Sequence, residues 1–235
     1  SPRQGRRLRQ SLPLRVRAHV VSALYDGAFE VVAAFIPGQT DEEVLVASHL
    51  CHPQPSANDN ASGAAAAIEI AATLRRLIDQ GTLPQPRRGI RFLWMPEMTG
   101  TYAYLANCQE RLPRTVAGVN LDMVGQNQER CHSVFNIEQP PEAMASFAPV
   151  LMKRLWDMLS GDAAGHSTFE LSSAAVRHRV TAFSGGSDHY ILSDPTVGVP
   201  TPMLIQWPDR FYHTSEDTLD KVDPDMLARI GSLAA

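Results

Sequence analysis

The sequence predicts an α/β fold, a three-layer α/β/α sandwich around a central sheet that is mixed but mostly parallel. Apolar runs of five or six residues alternate with longer helical segments, a pattern typical of buried strands joined by crossover helices. The chain has 235 residues, 44% of them hydrophobic, enough to bury a large core without a disulfide or metal. We therefore expect residues 1–235 to form a single catalytic domain.

The N-terminal region differs from the rest of the chain in its charge. The first 25 residues contain six arginines and no acidic residue, whereas the whole chain has a net charge of −4. No aromatic residues interleave with these arginines and no nucleic-acid-binding motif follows them, so residues 1–13 are interpreted as a solvated basic lead-in and nucleic acid is not an expected partner. The chain starts without Met or an apolar signal core, which favours a fragment of a longer protein.

Cysteine usage and hydropathy bear on the compartment. The three cysteines are spaced 57 and 23 residues apart, which is neither a disulfide framework nor a metal-binding pair. This favours a reducing compartment such as the cytoplasm. No run of about 18 apolar residues occurs, so no membrane partner is expected. Contact with a second copy, or with a further domain of the same chain, stays open.

Periodicity assigns the elements in order along the chain. Residues 14–21 alternate polar and apolar side chains, as in a half-buried strand. The other predicted strands are 29–36, 44–48, 90–95, 116–121, 176–183 and 203–207. The predicted helices are 61–80, 99–112, 142–159 and a last one that begins at Asp223-Pro224, a cap followed by proline. In helix 142–159, one apolar face that includes Phe147, Val150 and Leu151 is expected in the core.

Ionisable side chains follow four of these strands. His49 comes directly after strand 44–48, and Glu97 and Asp122 follow the next two apolar runs; His213 lies in the loop after strand 203–207. Ligands of such sheets bind beyond the carboxyl ends of the strands. Histidines and carboxylates gathered at one sheet edge are typical of a metal-dependent hydrolase.

Six short motifs, in this order, resemble those of a known family. They are Ser48-His49-Leu50, Asn58-Asp59-Asn60-Ala61-Ser62-Gly63, Trp94-Met95-Pro96-Glu97, Val119-Asn120-Leu121-Asp122-Met123-Val124-Gly125, Ser187-Asp188-His189 and His213-Thr214-Ser215-Glu216-Asp217-Thr218. Together they resemble the zinc aminopeptidases of the bacterial leucyl-aminopeptidase type, whose relatives include glutamate carboxypeptidases and glutaminyl cyclases. The segment His49-Leu50-Cys51-His52-Pro53 further resembles an aminopeptidase-like branch of poorly defined function.

The resemblance implies a zinc centre and a role for each matching residue. His49, Asp59 and Asp122 would hold one zinc ion, and Asp59 would bridge to a second ion that His213 also binds. Glu97 would be the general base that takes a proton from metal-bound water.

The resemblance also implies residues around the substrate, which would be a peptide or amide. His52, Asp188 and Tyr212 are expected at substrate-binding positions, with Asp188 facing a substrate amine and Tyr212 forming an apolar wall. Asp217 is expected to fix the loop that carries His213. Although Ser187, Asp188 and His189 are adjacent, they do not form a serine-hydrolase site, because a nucleophile elbow needs glycine two residues after the serine.

Two departures from the family pattern affect the metal count. Where the family has a second glutamate after the base, this chain has Met98, and a thioether is a poor zinc ligand. Where the family often has an aspartate that orients the first histidine, this chain has Cys51 beside His52. We therefore expect one tight zinc site and a second that is weak or rearranged, with His52 taking over an orienting or ligand function, or Glu97 itself binding metal. His49 is preferred to His52 as the first ligand because it lies directly at the strand end.

The predicted function is that of a zinc-dependent exopeptidase, an aminopeptidase that hydrolyses an N-terminal peptide bond. Two alternatives remain. One is a single-zinc amidohydrolase or an acyltransferase of the glutaminyl-cyclising kind. The other is a binding domain of the same fold that has lost catalysis, although a full set of buried polar groups would be costly without a ligand.

Overall fold

Strands and helices alternate along most of the chain in the computed structural model, which describes residues 2–160 and 176–235. The strands are β1 (Val32–Ile36), β2 (Glu43–His49), β3 (Gly89–Met95), β4 (Thr115–Leu121), β5 (Phe135–Glu138), β6 (His178–Thr181) and β7 (Met203–Gln206). The helices are α1 (Pro2–Gln10), α2 (Gly63–Asp79), α3 (Thr99–Asn107), α4 (Gln128–Cys131), α5 (Ala148–Leu159), α6 (Asp188–Leu192) and α7 (Pro224–Ala234).

All seven strands belong to one sheet in the order β1-β3-β2-β4-β7-β5-β6. The four strands from β3 to β7 in this order run parallel to their neighbours. At the two sides, β1 runs antiparallel to β3 and β5 runs antiparallel to β7, while β6 is parallel to β5. The predicted mixed, mostly parallel sheet is confirmed.

Successive residues of the central strands feed two separate cores, which makes three layers. Leu45 of β2 packs on one face of the sheet in a cluster with Leu105 of α3. Its neighbour Val46 belongs to the opposite cluster, with Ala67 of α2 and Ile230 of α7. This follows from the alternation of side chains across a strand. None of the described helices combines the length and apolar character needed to cross a membrane.

The region before β1 departs from the prediction of a strand over residues 14–21. This segment forms no strand, and its Val16 and Val20 are 74% and 79% exposed. An alternating pattern produces a strand only where it pairs with a neighbouring strand, and this segment does not pair with β1, the edge strand of the sheet. The next predicted strand, 29–36, is shorter than expected and begins at Val32. Within the basic lead-in, residues 2–10 form α1.

Two predicted helices are also shorter than their patterns. Helix 99–112 ends at Asn107 and is followed by a 3₁₀ turn over Gln109–Arg114. Helix 142–159 begins only at Ala148. The predicted core face is wrong at Phe147, Val150 and Leu151, which are 52%, 63% and 43% exposed, whereas Leu155 and Leu159 of the same predicted face pack against the core. The side chain that α5 buries fully is Trp156, which contacts the ring of Phe135 on β5.

The carboxyl ends of the parallel strands place the candidate site. His49 is the last residue of β2 and lies opposite Met95, the last residue of β3. Glu97 follows two residues later, and Asp122 comes directly after β4. Beyond β7, the loop that includes His213 runs over the same edge.

Candidate metal centre

The predicted ligands and the predicted base meet in one cavity at this sheet edge. The cavity has a volume of about 380 Å³ and is lined by His49, Asp59, Glu97, Asp122 and His213, with other residues. Tyr212 also lines it. Residues that lie up to 164 positions apart are thus brought together by the topology alone.

A hydrogen-bonded turn between β2 and α2 presents Asp59. The carboxylate of Asp217 accepts the backbone N–H groups of Asn58 and Asp59, each at 2.9 Å, and the Ser56 hydroxyl at 3.0 Å. The Asp59–Asn60 peptide bond is cis. Asn60 then ties the turn to the sheet, because its side-chain amide donates to the Leu121 carbonyl at 3.0 Å. Asp59 is therefore held from both sides.

The first candidate metal group consists of His49, Asp59 and Asp122, which are all buried. His49 Nε2 lies 3.4 Å from Asp59 Oδ1 and 3.4 Å from Asp122 Oδ1. His49 Nδ1 lies 3.1 Å from the Cys51 carbonyl oxygen. Because a carbonyl only accepts, Nδ1 carries the hydrogen, and Nε2 of the neutral ring turns its lone pair toward the two carboxylates.

The electrostatics of this group favour a positive charge. Burial disfavours the charged form of His49, but the Asp122 and Asp59 carboxylates outweigh it and raise the pKa of His49 to about 12. Burial likewise opposes ionisation of Asp59, yet His49, His52 and His213 lower its pKa overall. A divalent cation bound between these side chains would satisfy the same preference for positive charge, and it carries more charge than a protonated histidine.

The second candidate metal group consists of His52, Asp59 and His213. Asp59 Oδ2 lies 3.0 Å from His213 Nε2 and 3.5 Å from His52 Nε2. His213 has a φ of 53°, which is uncommon for a residue with a side chain. Its ring stacks on Tyr212, with centroids 3.7 Å apart. One carboxylate therefore offers each of its oxygens to a different group.

The separations of His49 from Asp59 and Asp122, and of His52 from Asp59, fit zinc, while that of His213 from Asp59 is shorter. Zinc binds nitrogen and oxygen at about 2.0–2.2 Å in tetrahedral geometry, which puts the ligand atoms roughly 3.3–3.5 Å apart. Asp122 Oδ1 and His52 Nε2 are buried and have no hydrogen-bond partner among the described residues. Such atoms are costly to bury unless a further group satisfies them.

Glu97 is half-buried beside the first group. Its backbone N–H donates to Cys51 Sγ at 3.1 Å. Burial raises the pKa of the Glu97 carboxyl, and the nearby Asp122 and Asp188 carboxylates raise it further, against the opposing effect of His49. A carboxylate with a raised pKa is a better proton acceptor near neutral pH.

Asp188 supports the turn that carries Glu97. Its Oδ1 accepts the Met98 backbone N–H at 2.8 Å and the Thr101 hydroxyl, and Met98 has a positive φ of 55°. The Asp188 side chain is fully buried, whereas the adjacent Ser187 lines the cavity. The contact of Asp188 with a substrate amine, and that of His52 with substrate, stay predictions.

The cavity also has a wall on β5 and β6, whose polar residues were not predicted at the site. Asn136, Glu138 and Arg179 line it, and β5 was not predicted. Glu138 accepts hydrogen bonds from the Ser184 backbone and hydroxyl and lies 2.8 Å from His189 Nε2. The only signal in the sequence was polar residues spaced two apart in Asn136-Ile137-Glu138.

The sequence and the fold are similar to those of known proteins. The profile of peptidase family M28 matches residues 30–235. A curated protein of Clostridium acetobutylicum, whose name joins polysaccharide biosynthesis to an aminopeptidase-like domain, is 28% identical over 209 residues, 88% of this chain and 42% of that protein. The chain thus spans less than half the length of this relative.

Solved structures give the same likeness at the level of the fold. A zinc aminopeptidase of Bacillus subtilis has a TM-score of 0.62 at 20% identity, covering 87% of this chain and 48% of that one. A glutaminyl cyclase of Macrostomum lignano has a TM-score of 0.68 at 17% identity, covering 87% of this chain and 69% of that one.

Proposed function

Because the chain belongs to peptidase family M28, we propose that it is a zinc-dependent exopeptidase that removes the N-terminal residue of a peptide. The observation that carries the proposal is the placement of Asp59, whose two carboxylate oxygens face separate histidine-containing groups. A bridging carboxylate of this kind suits a hydrolytic metal centre. The Bacillus subtilis neighbour is a zinc aminopeptidase by name, which supports zinc as the metal.

Each protein group would have a distinct task. His49, Asp59, Asp122 and His213 would hold zinc, which when bound supplies Lewis acidity and a water molecule whose pKa is lowered to roughly 7. Glu97 would accept the proton of the attacking water and pass it to the amine released when the C–N bond breaks. Two hydrogen bonds would keep the Glu97 carboxylate in place. Cys51 Sγ accepts the Glu97 backbone N–H, and Asp188 accepts the backbone N–H of Met98 in the next position.

The substrate would enter beside the aromatic wall. Trp207 and Tyr212 line the cavity, and their rings meet edge to face at 5.0 Å. Both side chains are partly exposed, so they offer apolar surface to a peptide side chain next to the metal groups.

A panel of aminoacyl chromogenic amides, assayed with and without a chelator, tests the proposal. We expect amide hydrolysis that the chelator abolishes and added zinc restores. Hydrolysis that the chelator leaves unchanged would overturn the metallopeptidase proposal. Bound zinc without turnover of any amide or peptide would favour the alternative of a binding domain.

A single-zinc acyltransferase is the second candidate. It is favoured by the fold likeness to a glutaminyl cyclase. It is also favoured by burial, because of the two candidate metal groups in the described residues only that of His49, Asp59 and Asp122 is buried throughout. Mass analysis of a peptide that begins with glutamine separates the two activities. An exopeptidase releases free glutamine, whereas a cyclising enzyme keeps every residue and lowers the mass of the peptide by that of one ammonia.

A further inference from the structure

We infer that His52 is the third protein ligand of a second metal ion, which it would bind together with Asp59 and His213. The inference rests on the proposed function and assigns a ligand set that the sequence pattern lacks. With Met98 after the base, the family pattern leaves only Asp59 and His213 at this ion, and the sequence leaves open whether His52 or Glu97 replaces the missing glutamate. The fold supplies the missing ligand from the loop after β2.

The hydrogen bonding of His52 fixes which ring nitrogen is free. Its Nδ1 lies 2.7 Å from the Gln54 carbonyl oxygen, and because that oxygen only accepts, Nδ1 carries a hydrogen. The neutral ring therefore has its lone pair on Nε2. A histidine whose Nδ1 donates to a backbone carbonyl is the usual form of an Nε2 metal ligand.

The unprotonated His52 Nε2 faces the Asp59 carboxylate, which has no hydrogen to donate to it. His52 Nε2 is buried, has no hydrogen-bond partner within the described parts of the chain, and lies 3.5 Å from Asp59 Oδ2. Two atoms that both carry lone pairs repel each other at this separation unless a proton or a cation lies between them. His213 Nε2 approaches the same oxygen at 3.0 Å.

The three candidate ligand atoms form one compact group. They lie within 4.8 Å of one another, and the rings of His52 and His213 meet edge to face with centroids 5.3 Å apart. Two histidine nitrogens and one carboxylate oxygen, with the fourth position open, form a ligand set that zinc uses at catalytic sites.

The backbone around His52 is restricted before any metal binds. Pro53 follows His52 and limits it to extended conformations, and Pro55 does the same for Gln54. The ring and the carbonyl that orients it therefore belong to a stiff segment, which lowers the entropy lost when the ligand is fixed.

Cobalt titration of the chelator-stripped protein tests the inference by metal binding alone. We expect the full chain to bind two ions, and His52→Gln to bind the second at least about 100-fold more weakly, because even residues that only orient a ligand change affinity 10- to 100-fold. His52→Glu, whose longer side chain can bring a ligand oxygen near the position of Nε2, should recover the second ion. His19→Gln removes an exposed histidine before β1 and should bind as the wild type does.

The outcomes separate this inference from the proposed function. A His52→Gln variant that binds both ions with wild-type affinity would overturn the role of His52 and leave the zinc exopeptidase standing. A single ion on the wild type, unaffected by His52→Gln, would do the same. A wild-type protein that binds no ion would overturn both. Circular dichroism of the variants controls for folding.

Discussion

The carboxylate of Asp217 holds the backbone of Asp59, whose N–H it accepts at 2.9 Å. Asp217 lies four residues after His213 and is only 4% exposed. One buried side chain therefore connects the loop that carries His213 to the turn that presents Asp59. The relative position of the candidate ligands Asp59 and His213 therefore depends on Asp217.

Asp217→Asn should weaken both stability and metal binding. The amide keeps one acceptor oxygen but turns an NH₂ group toward a backbone N–H, which leaves a buried donor unsatisfied at a cost of about 1–3 kcal/mol. Urea unfolding of the metal-free protein measures the first effect, and zinc titration measures the second. The exposed Asp220→Asn nearby should change the unfolding free energy by less than about 0.5 kcal/mol. Equal losses in the two variants would contradict the prediction.

Glu97→Gln should abolish most hydrolysis while the metal stays bound. Removal of a general base typically lowers kcat about 100- to 10,000-fold. Elemental analysis beside the amide assay checks this, with the exposed Glu110→Gln as the matched control. If the variant instead lost its zinc, Glu97 would be a ligand and the assignment as base would be wrong.

The free energy of unfolding should fall at alkaline pH because the partly buried Tyr104 phenol resists ionisation in the folded state. Burial on α3 raises the pKa of Tyr104 to about 12 from the model-peptide value of 10.0. The folded state therefore keeps the phenol proton that the unfolded chain releases, so this contribution is complete below pH 10 and is lost as the pH rises toward 12. Urea unfolding at pH 9 and pH 11 should show a smaller drop for Tyr104→Phe than for the wild type. Tyr102→Phe, at an exposed position of the same helix, should retain the full drop.

The cysteines should differ in their reaction with iodoacetamide. Burial raises the pKa of Cys131 to about 11, and its side chain is 1% exposed, so at pH 8 it should react only after unfolding. Cys51 is exposed and should be labelled first, with loss of hydrolysis because its Sγ accepts the Glu97 backbone N–H. Peptide mass mapping follows the order of labelling. Rapid labelling of Cys131 in the folded protein would contradict it.

The residues at the ends of the central strands could be predicted from the sequence because buried parallel strands are continuous apolar runs. The run before His49 and the run before Asp122 have this form. Because ligands of such sheets bind beyond the carboxyl ends of the strands, the residues that follow these runs are expected in the site. The strand β5 could not be found in this way. Its Asn136 and Glu138 face the cavity, so the apolar pattern of a buried strand is broken by the site itself.

The sequence makes His52 a candidate for an orienting or a ligand function, but it does not decide between the two. Its neighbours in sequence do not reveal that its Nε2 meets Asp59 Oδ2, because that approach depends on how the turn before α2 folds back over β2. At residues 14–21 the sequence pattern instead predicted a strand that the structure does not contain. Their alternation is that of a strand, but strand formation also needs a partner that the sequence does not specify.

In the proposed centre, the shared position of Asp59 would make the two groups a single thermodynamic unit. An ion held by one carboxylate oxygen changes the charge and the position of the other oxygen, so the affinity at either site depends on whether its neighbour is filled. By reciprocity, the same coupling energy applies in both directions. The affinity measured at one group of such a centre would therefore change with the occupancy of the other group.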